Sequence, residues 1–86
     1  MSSDPQAWHV YLLECADGTL YTGIALDPQR RVQQHSKGRG ARYTRTRLPV
    51  RLLGSIAVAG RAEAMRLEAQ VKTWTAKRKR AFFGGG

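Results

Sequence analysis

Two runs rich in aromatic and β-branched residues, Trp8 to Glu14 and Thr19 to Ala25, flank Cys15-Ala16-Asp17-Gly18, and this arrangement constrains the fold more than any other feature of the chain. Asp-Gly supplies the positive-φ turn that joins two antiparallel strands in a tight hairpin. In the first run both alternating sets, Trp8/Val10/Leu12 and His9/Tyr11/Leu13, are bulky. A strand of that kind is covered on both faces, so it belongs at or near the centre of a sheet.

Asp27-Pro28 then gives a helix start, with an acceptor for free N–H groups and a proline tolerated in the first turn. The spacing predicts a helix over about Pro28 to Lys37, closed by Gly38. Residues 36 to 49 contain no acid and alternate basic with small or polar groups, the composition of an exposed loop. Val50 to Val58 reads as a third strand, and Gly60 leads into a longer helix over about Arg61 to Lys77. The order ββαβα predicts an α+β fold in which helices pack against a single layer of sheet. With 86 residues there is room for one domain, since a chain of this size buries only about 60 to 65% of the surface its unfolded form exposes. That domain is expected to fill 1–86, with a core over about 7–78 and a basic tail over 77–86.

Projected at 100° per residue, the second helix places Ala64, Leu67, Val71 and Trp74 on one arc with Met65 at its edge, and Glu68 falls inside that arc. Burying an unpaired carboxylate is costly, so Glu68 needs a partner. A cation or a catalytic task would supply one; an i,i+4 ion pair with Lys72 is the structural alternative. The run Lys77-Arg78-Lys79-Arg80 is expected partly at a helix C-terminus, where it also favours the macrodipole. Phe82-Phe83 is expected to return to the core, and Gly84 to Gly86 to fray.

The single cysteine, Cys15, cannot form an internal disulfide, and no CxxC pair offers a zinc site. No basic N-terminal stretch leads into an apolar one, and no apolar run approaches the ~20 residues of a membrane span. A soluble protein of the reducing cytoplasm, without membrane partners, is expected. Fifteen Lys and Arg against six Asp and Glu leave a net charge of +9, a balance suited to polyanions.

His35 follows Arg31 by four residues, so both project from one face of the first predicted helix, where they could engage a phosphate together. Tyr11 and Tyr21 lie on adjacent strands and meet if they share a face, either as core packing or as a pair of reactive phenols. Gly23 marks close approach by another backbone or a ligand, or a bulge.

Val10-Tyr11-Leu12, then Tyr21-Thr22-Gly23, Pro28, Arg31, His35 and, on a later helix, Glu68 together resemble the core of the GIY-YIG nuclease superfamily. More narrowly, Tyr21-Thr22-Gly23-Ile24, Arg30-Arg31-Val32-Gln33-Gln34-His35 and Leu67-Glu68-Ala69-Gln70-Val71-Lys72 are similar to its small single-domain bacterial branch. The likeness spans about Trp8 to Thr75. Val10 stands where the first triplet has glycine, and Thr22 where isoleucine names the second.

The resemblance implies a three-stranded antiparallel sheet flanked by helices, and a catalytic set of Tyr11, Tyr21, Arg31, His35 and Glu68. Glu68 would hold one Mg²⁺ or Mn²⁺ and Arg31 the scissile phosphate. Tyr11 would orient or deprotonate water, with His35 accepting or relaying its proton and positive charge from Arg31 and the cation favouring the phenolate. Tyr21 would position water or phosphate. Around that site, Lys37, Arg39, Arg42, Arg45, Arg47 and Arg51 would track phosphates and Tyr43 would stack on an unpaired base.

The implied activity is endonucleolytic cleavage of DNA at branched or flapped structures, in repair or recombination, with RNA as the alternative substrate. Sequence-specific cutting is not expected, because little surface is left for base readout. The competing readings are a binding module without activity and a subunit that needs a protein partner for its specificity.

Overall fold

The computed structural model describes residues 7–84. The hairpin forms as expected: β1 (Trp8–Glu14) and β2 (Leu20–Ala25) pair antiparallel across a turn in which Gly18 takes φ +84°. The Asp17 carboxylate closes the turn by accepting from the Thr19 amide at 3.0 Å and its hydroxyl at 2.6 Å. The third strand, β3 (Arg51–Val58), pairs antiparallel with the other side of β1, giving the order β2-β1-β3. β1 is therefore central, and its two bulky sets face two separate clusters. Val10 and Leu12 pack with Ala64, Val71 and Phe83, whereas Tyr11 and Leu13 pack with Cys15, Ala25 and Val50. This is an α+β fold, a three-stranded antiparallel sheet with helices against it.

Helix α1 (Pro28–Ser36) begins at the expected place, where the Asp27 carboxylate accepts from the Arg30 amide at 3.2 Å. Lys37 caps its C-terminus, followed by Gly38 at φ +75°. The segment expected as a loop contains a short helical turn, α2 (Arg42–Arg45), in which the buried Thr44 points inward while Arg42, Tyr43 and Arg45 are exposed.

One expected helix is two. α3 (Arg61–Val71) stops well before Lys77, and α4 (Ala76–Gly84) begins after a turn. Two threonines account for the break, since their hydroxyls compete for local backbone groups. Thr73 donates to the Gln70 carbonyl at 2.7 Å, and Thr75 accepts from the Arg78 amide at 3.2 Å. The order is thus ββααβαα rather than ββαβα.

The turn swings Phe83 back into the core, while Phe82 stays exposed with its ring edge-on to Trp74. Phe83 reaches β3 because Gly54 has no side chain: a Cβ there would collide with the Phe83 carbonyl. Lys77 to Arg80 consequently occupy the first turns of α4, where the macrodipole opposes positive charge, and not a helix C-terminus. Gly84 is the last residue of α4; Gly85 and Gly86 lie outside the described residues.

On α3, Ala64 and Val71 are buried and Leu67 half-buried as the projection requires, but Met65 is 46% exposed. Trp74 lies past the helix end.

Candidate active site

The site begins with a missing side chain. Tyr11 pairs with Gly23 across β1 and β2, and its phenol lies so close over that glycine that a Cβ would collide with it. Tyr21, two residues before Gly23, sits opposite Leu13 and so shares the face of Tyr11, with ring centroids 6.4 Å apart. From α1, His35 comes down onto the pair, 6.2 Å from the Tyr11 ring and 5.4 Å from that of Tyr21.

His35 is buried, 1% exposed, and both ring nitrogens are occupied. Nε2 lies 3.1 Å from the Tyr11 hydroxyl and Nδ1 lies 2.8 Å from the Thr44 hydroxyl. Thr44, fully buried in α2, donates in turn to the Ala41 carbonyl at 2.8 Å. Gly40 closes over the imidazole, and a Cβ there would strike Nδ1 and the ring carbons beside it.

Two charges flank this cluster. Arg31, exposed one turn before His35, and Glu68, half-buried on α3, both act on the Tyr11 hydroxyl, the first favouring the phenolate and the second opposing it. Burial is the largest influence on Tyr11, followed by Tyr21, and the phenol is held well above its ordinary range. Burial, Tyr21 and Glu68 together outweigh Arg31 at this hydroxyl, so the phenolate implied by the resemblance would need the cation as well as Arg31. His35 is pushed below the ordinary imidazole range, by burial first and Arg31 second. At neutral pH the pair is a protonated phenol beside a neutral imidazole.

The Glu68 carboxylate lies 3.5 Å from Lys72 Nζ, so the i,i+4 ion pair is present. No group of three or more His, Cys, Asp or Glu that could hold a metal occurs among the described residues. One carboxylate suits Mg²⁺ or Mn²⁺, which keep much of their water and take further oxygens from a phosphate; it does not suit a zinc cage.

The seven nucleic-acid candidates divide. Lys37, Arg39, Arg42 and Arg45 are exposed and make no ion pair among the described residues. Arg47 is held by Asp17 at 3.1 Å and by the Tyr43 carbonyl at 2.9 Å, with its guanidinium 3.9 Å from the Tyr43 ring centre. Arg51 pairs with Glu14 at 2.8 Å, a carboxylate it shares with Arg80. Tyr43 is 38% exposed and stacks on Tyr21, with centroids 6.1 Å apart and planes inclined 28°.

Tyr21 and Tyr43 line a depression at the open edge of β2 together with Lys72 and Lys79, whereas Arg31 opens onto another beside Trp8, Asp27 and Gln34. Thr44, Gly40, Lys72 and Lys79 were not singled out from the sequence as site residues. Only the fold brings residue 44 against residue 35, and no local pattern marks it.

The chain matches the GIY-YIG catalytic domain over residues 7–81. A UPF0213 protein of Cupriavidus necator is 45% identical over 82 residues, covering 95% of this chain and 88% of the relative. One of Streptococcus agalactiae is 54% identical over 71 residues, covering 83% and 81%. Among solved structures, the UPF0213 protein of Bacillus halodurans matches at TM-score 0.54 and 43% identity, over 88% of this chain and 81% of that one. A protein of E. faecalis matches at TM-score 0.61 and 34% identity, over 95% and 86%. No helix among the described residues is long and apolar enough to cross a membrane.

Proposed function

The chain belongs to the GIY-YIG catalytic domain family, in its small UPF0213 branch, and on that premise we propose that it is a divalent-metal-dependent endonuclease hydrolysing DNA phosphodiester bonds. The observation that carries the reading is the 3.1 Å contact between the Tyr11 hydroxyl and His35 Nε2, inside a cluster on which Arg31 and Glu68 both act. A phenol bonded to a neutral imidazole can hold an attacking water and pass its proton inward. Tyr21, in ring contact with both, fixes that water or a phosphate oxygen by hydrogen bonding.

Arg31 binds the scissile phosphate, since an exposed guanidinium takes two oxygens at once and remains charged as the transition state gains negative charge. Glu68, now paired with Lys72, would hold Mg²⁺ or Mn²⁺. The cation, when bound, neutralises the phosphate and stabilises the departing oxygen. Lys37, Arg39, Arg42 and Arg45 supply phosphate contacts that carry no sequence information, and the small domain leaves little surface for base edges. Branched or flapped DNA is the proposed substrate.

The test is incubation of the purified protein with branched DNA and Mg²⁺ or Mn²⁺ beside Arg31→Ala and Glu68→Ala. Metal-dependent cleavage lost in both variants supports the enzyme. Binding by all three proteins without cleavage would replace it with a module that recognises nucleic acid but does not cut.

A further inference from the structure

We propose that Thr44 is a positioning residue that fixes the tautomer of His35, so that the imidazole meets Tyr11 as an acceptor at Nε2. This rests on the reading of Tyr11 and His35 given above and adds the direction in which the proton travels.

A threonine hydroxyl has one proton to give. In Thr44 that proton is committed to the Ala41 carbonyl, which can only accept, at 2.8 Å. The Thr44 oxygen can therefore only accept from His35 Nδ1, also at 2.8 Å, and Nδ1 carries the hydrogen. In a neutral imidazole, Nε2 is then a bare lone pair. Its partner is the Tyr11 hydroxyl at 3.1 Å, which must be the donor. All three bonds run one way, from Tyr11 through His35 and Thr44 to a backbone carbonyl.

The opposite tautomer would put a hydrogen on Nε2, facing the Tyr11 oxygen, and would need Thr44 to abandon Ala41 for Nδ1. That would leave two acceptor oxygens, Thr44 Oγ1 and the Ala41 carbonyl, facing each other at 2.8 Å with no hydrogen between them, although the carbonyl keeps the Thr44 and Arg45 amides at 3.1 and 3.2 Å. Gly40 packs against the imidazole and leaves it no room to shift toward residue 40.

The chemical consequence is a balanced relay. As water oxygen bonds to phosphorus, one water proton passes to the Tyr11 oxygen while the Tyr11 proton passes to His35 Nε2. The P–O bond to the leaving oxygen breaks, and that oxygen takes a proton from solvent. The imidazolium returns its proton through Tyr11 after product leaves. Thr44 touches neither water nor phosphate; it keeps Nε2 empty. Because the same turn displays Arg42, Tyr43 and Arg45 outward, the segment proposed to hold the strand also holds the imidazole.

The experiment is long-range ¹H–¹⁵N correlation of the histidine rings at neutral pH in the whole protein, with His9 distinguished through His9→Gln. His35 is expected to show a protonated Nδ1 and an unprotonated Nε2 in the wild type and in Thr44→Ser, which keeps the hydroxyl. Thr44→Val is expected to lose that single tautomer and to slow cleavage on the order of 10- to 100-fold, by analogy with the loss of groups that orient metal-bound histidines. Thr44→Ser should restore the rate.

A wild-type spectrum with the hydrogen on Nε2 overturns the proposal, as does a folded Thr44→Val with an unchanged ring spectrum. Should the valine variant fail to fold, the wild type and Thr44→Ser decide alone. An Nδ1–H tautomer in a protein that never cleaves DNA supports the positioning role and counts against the nuclease reading instead.

Discussion

Tyr11 lays its phenol directly over Gly23, its partner across the β1–β2 ladder, leaving no space for even one methyl group. Gly23→Ala is therefore expected to push the ring from its place rather than fill a void. Overpacking of this kind costs about 1–3 kcal/mol. Denaturant melts should show that loss, together with a fall in cleavage from displacement of the hydroxyl from His35. Wild-type stability and rate in Gly23→Ala would contradict the close packing.

His35 makes stability depend on pH in a stated direction. Its folded pKa lies below the unfolded value, so between the two the unfolded chain binds the extra proton and stability rises with pH. The contribution is present above the ordinary imidazole pKa of ~6.5 and is lost as pH falls through the folded value. Thermal melts of the wild type should decline from pH 7 toward pH 5, and His35→Gln should flatten that decline. The lowered carboxylates Glu14 and Asp17 contribute separately, at more acidic pH, as they protonate below their ordinary values of 4.5 and 3.8.

The basic loop should reveal itself through salt. Arg42 and Arg45 are exposed and outside any ion pair among the described residues, so replacing both with alanine removes two phosphate contacts. The slope of log affinity against log salt for duplex DNA should become shallower by roughly 1.8, at about 0.9 per contact. Arg51→Ala should change it less, because Glu14 already engages that side chain. Equal slopes for the double variant and the wild type would remove the loop from the binding surface.

Glu68→Gln separates holding a cation from holding DNA. The substitution removes a negative charge beside the cluster, so binding measured with a chelator present should be retained or strengthened, while Mg²⁺-dependent cleavage should be lost. Weaker chelator-independent binding would show that Glu68 serves the fold through Lys72 instead.

Much of this architecture is legible in the chain itself, and its limits are physical. Asp17-Gly18 and the two bulky sets of β1 announce a hairpin with a central strand, because turn conformation and two-sided burial are local demands. Tyr11, Tyr21, Arg31 and His35 could be grouped from spacing and resemblance, and the fold brings both phenols and the imidazole within ring contact. The break between α3 and α4 was hidden because Trp74 continues the helical period through residues that cap and turn. Thr44 was hidden for a different reason: its partner lies nine positions away across a turn that only tertiary packing creates. The ion pairs of Arg47 and Arg51 were not legible, because their acidic partners Asp17 and Glu14 are distant in sequence.

The most direct test of the account is the cleavage rate of Tyr11→Phe on branched DNA with Mg²⁺, beside its affinity for the same DNA. Phenylalanine keeps the ring over Gly23 and deletes only the hydroxyl that faces His35 Nε2. The account predicts unchanged affinity with cleavage reduced about 100-fold or more, the scale of a lost proton-transfer group. Cleavage by Tyr11→Phe at the wild-type rate would contradict it.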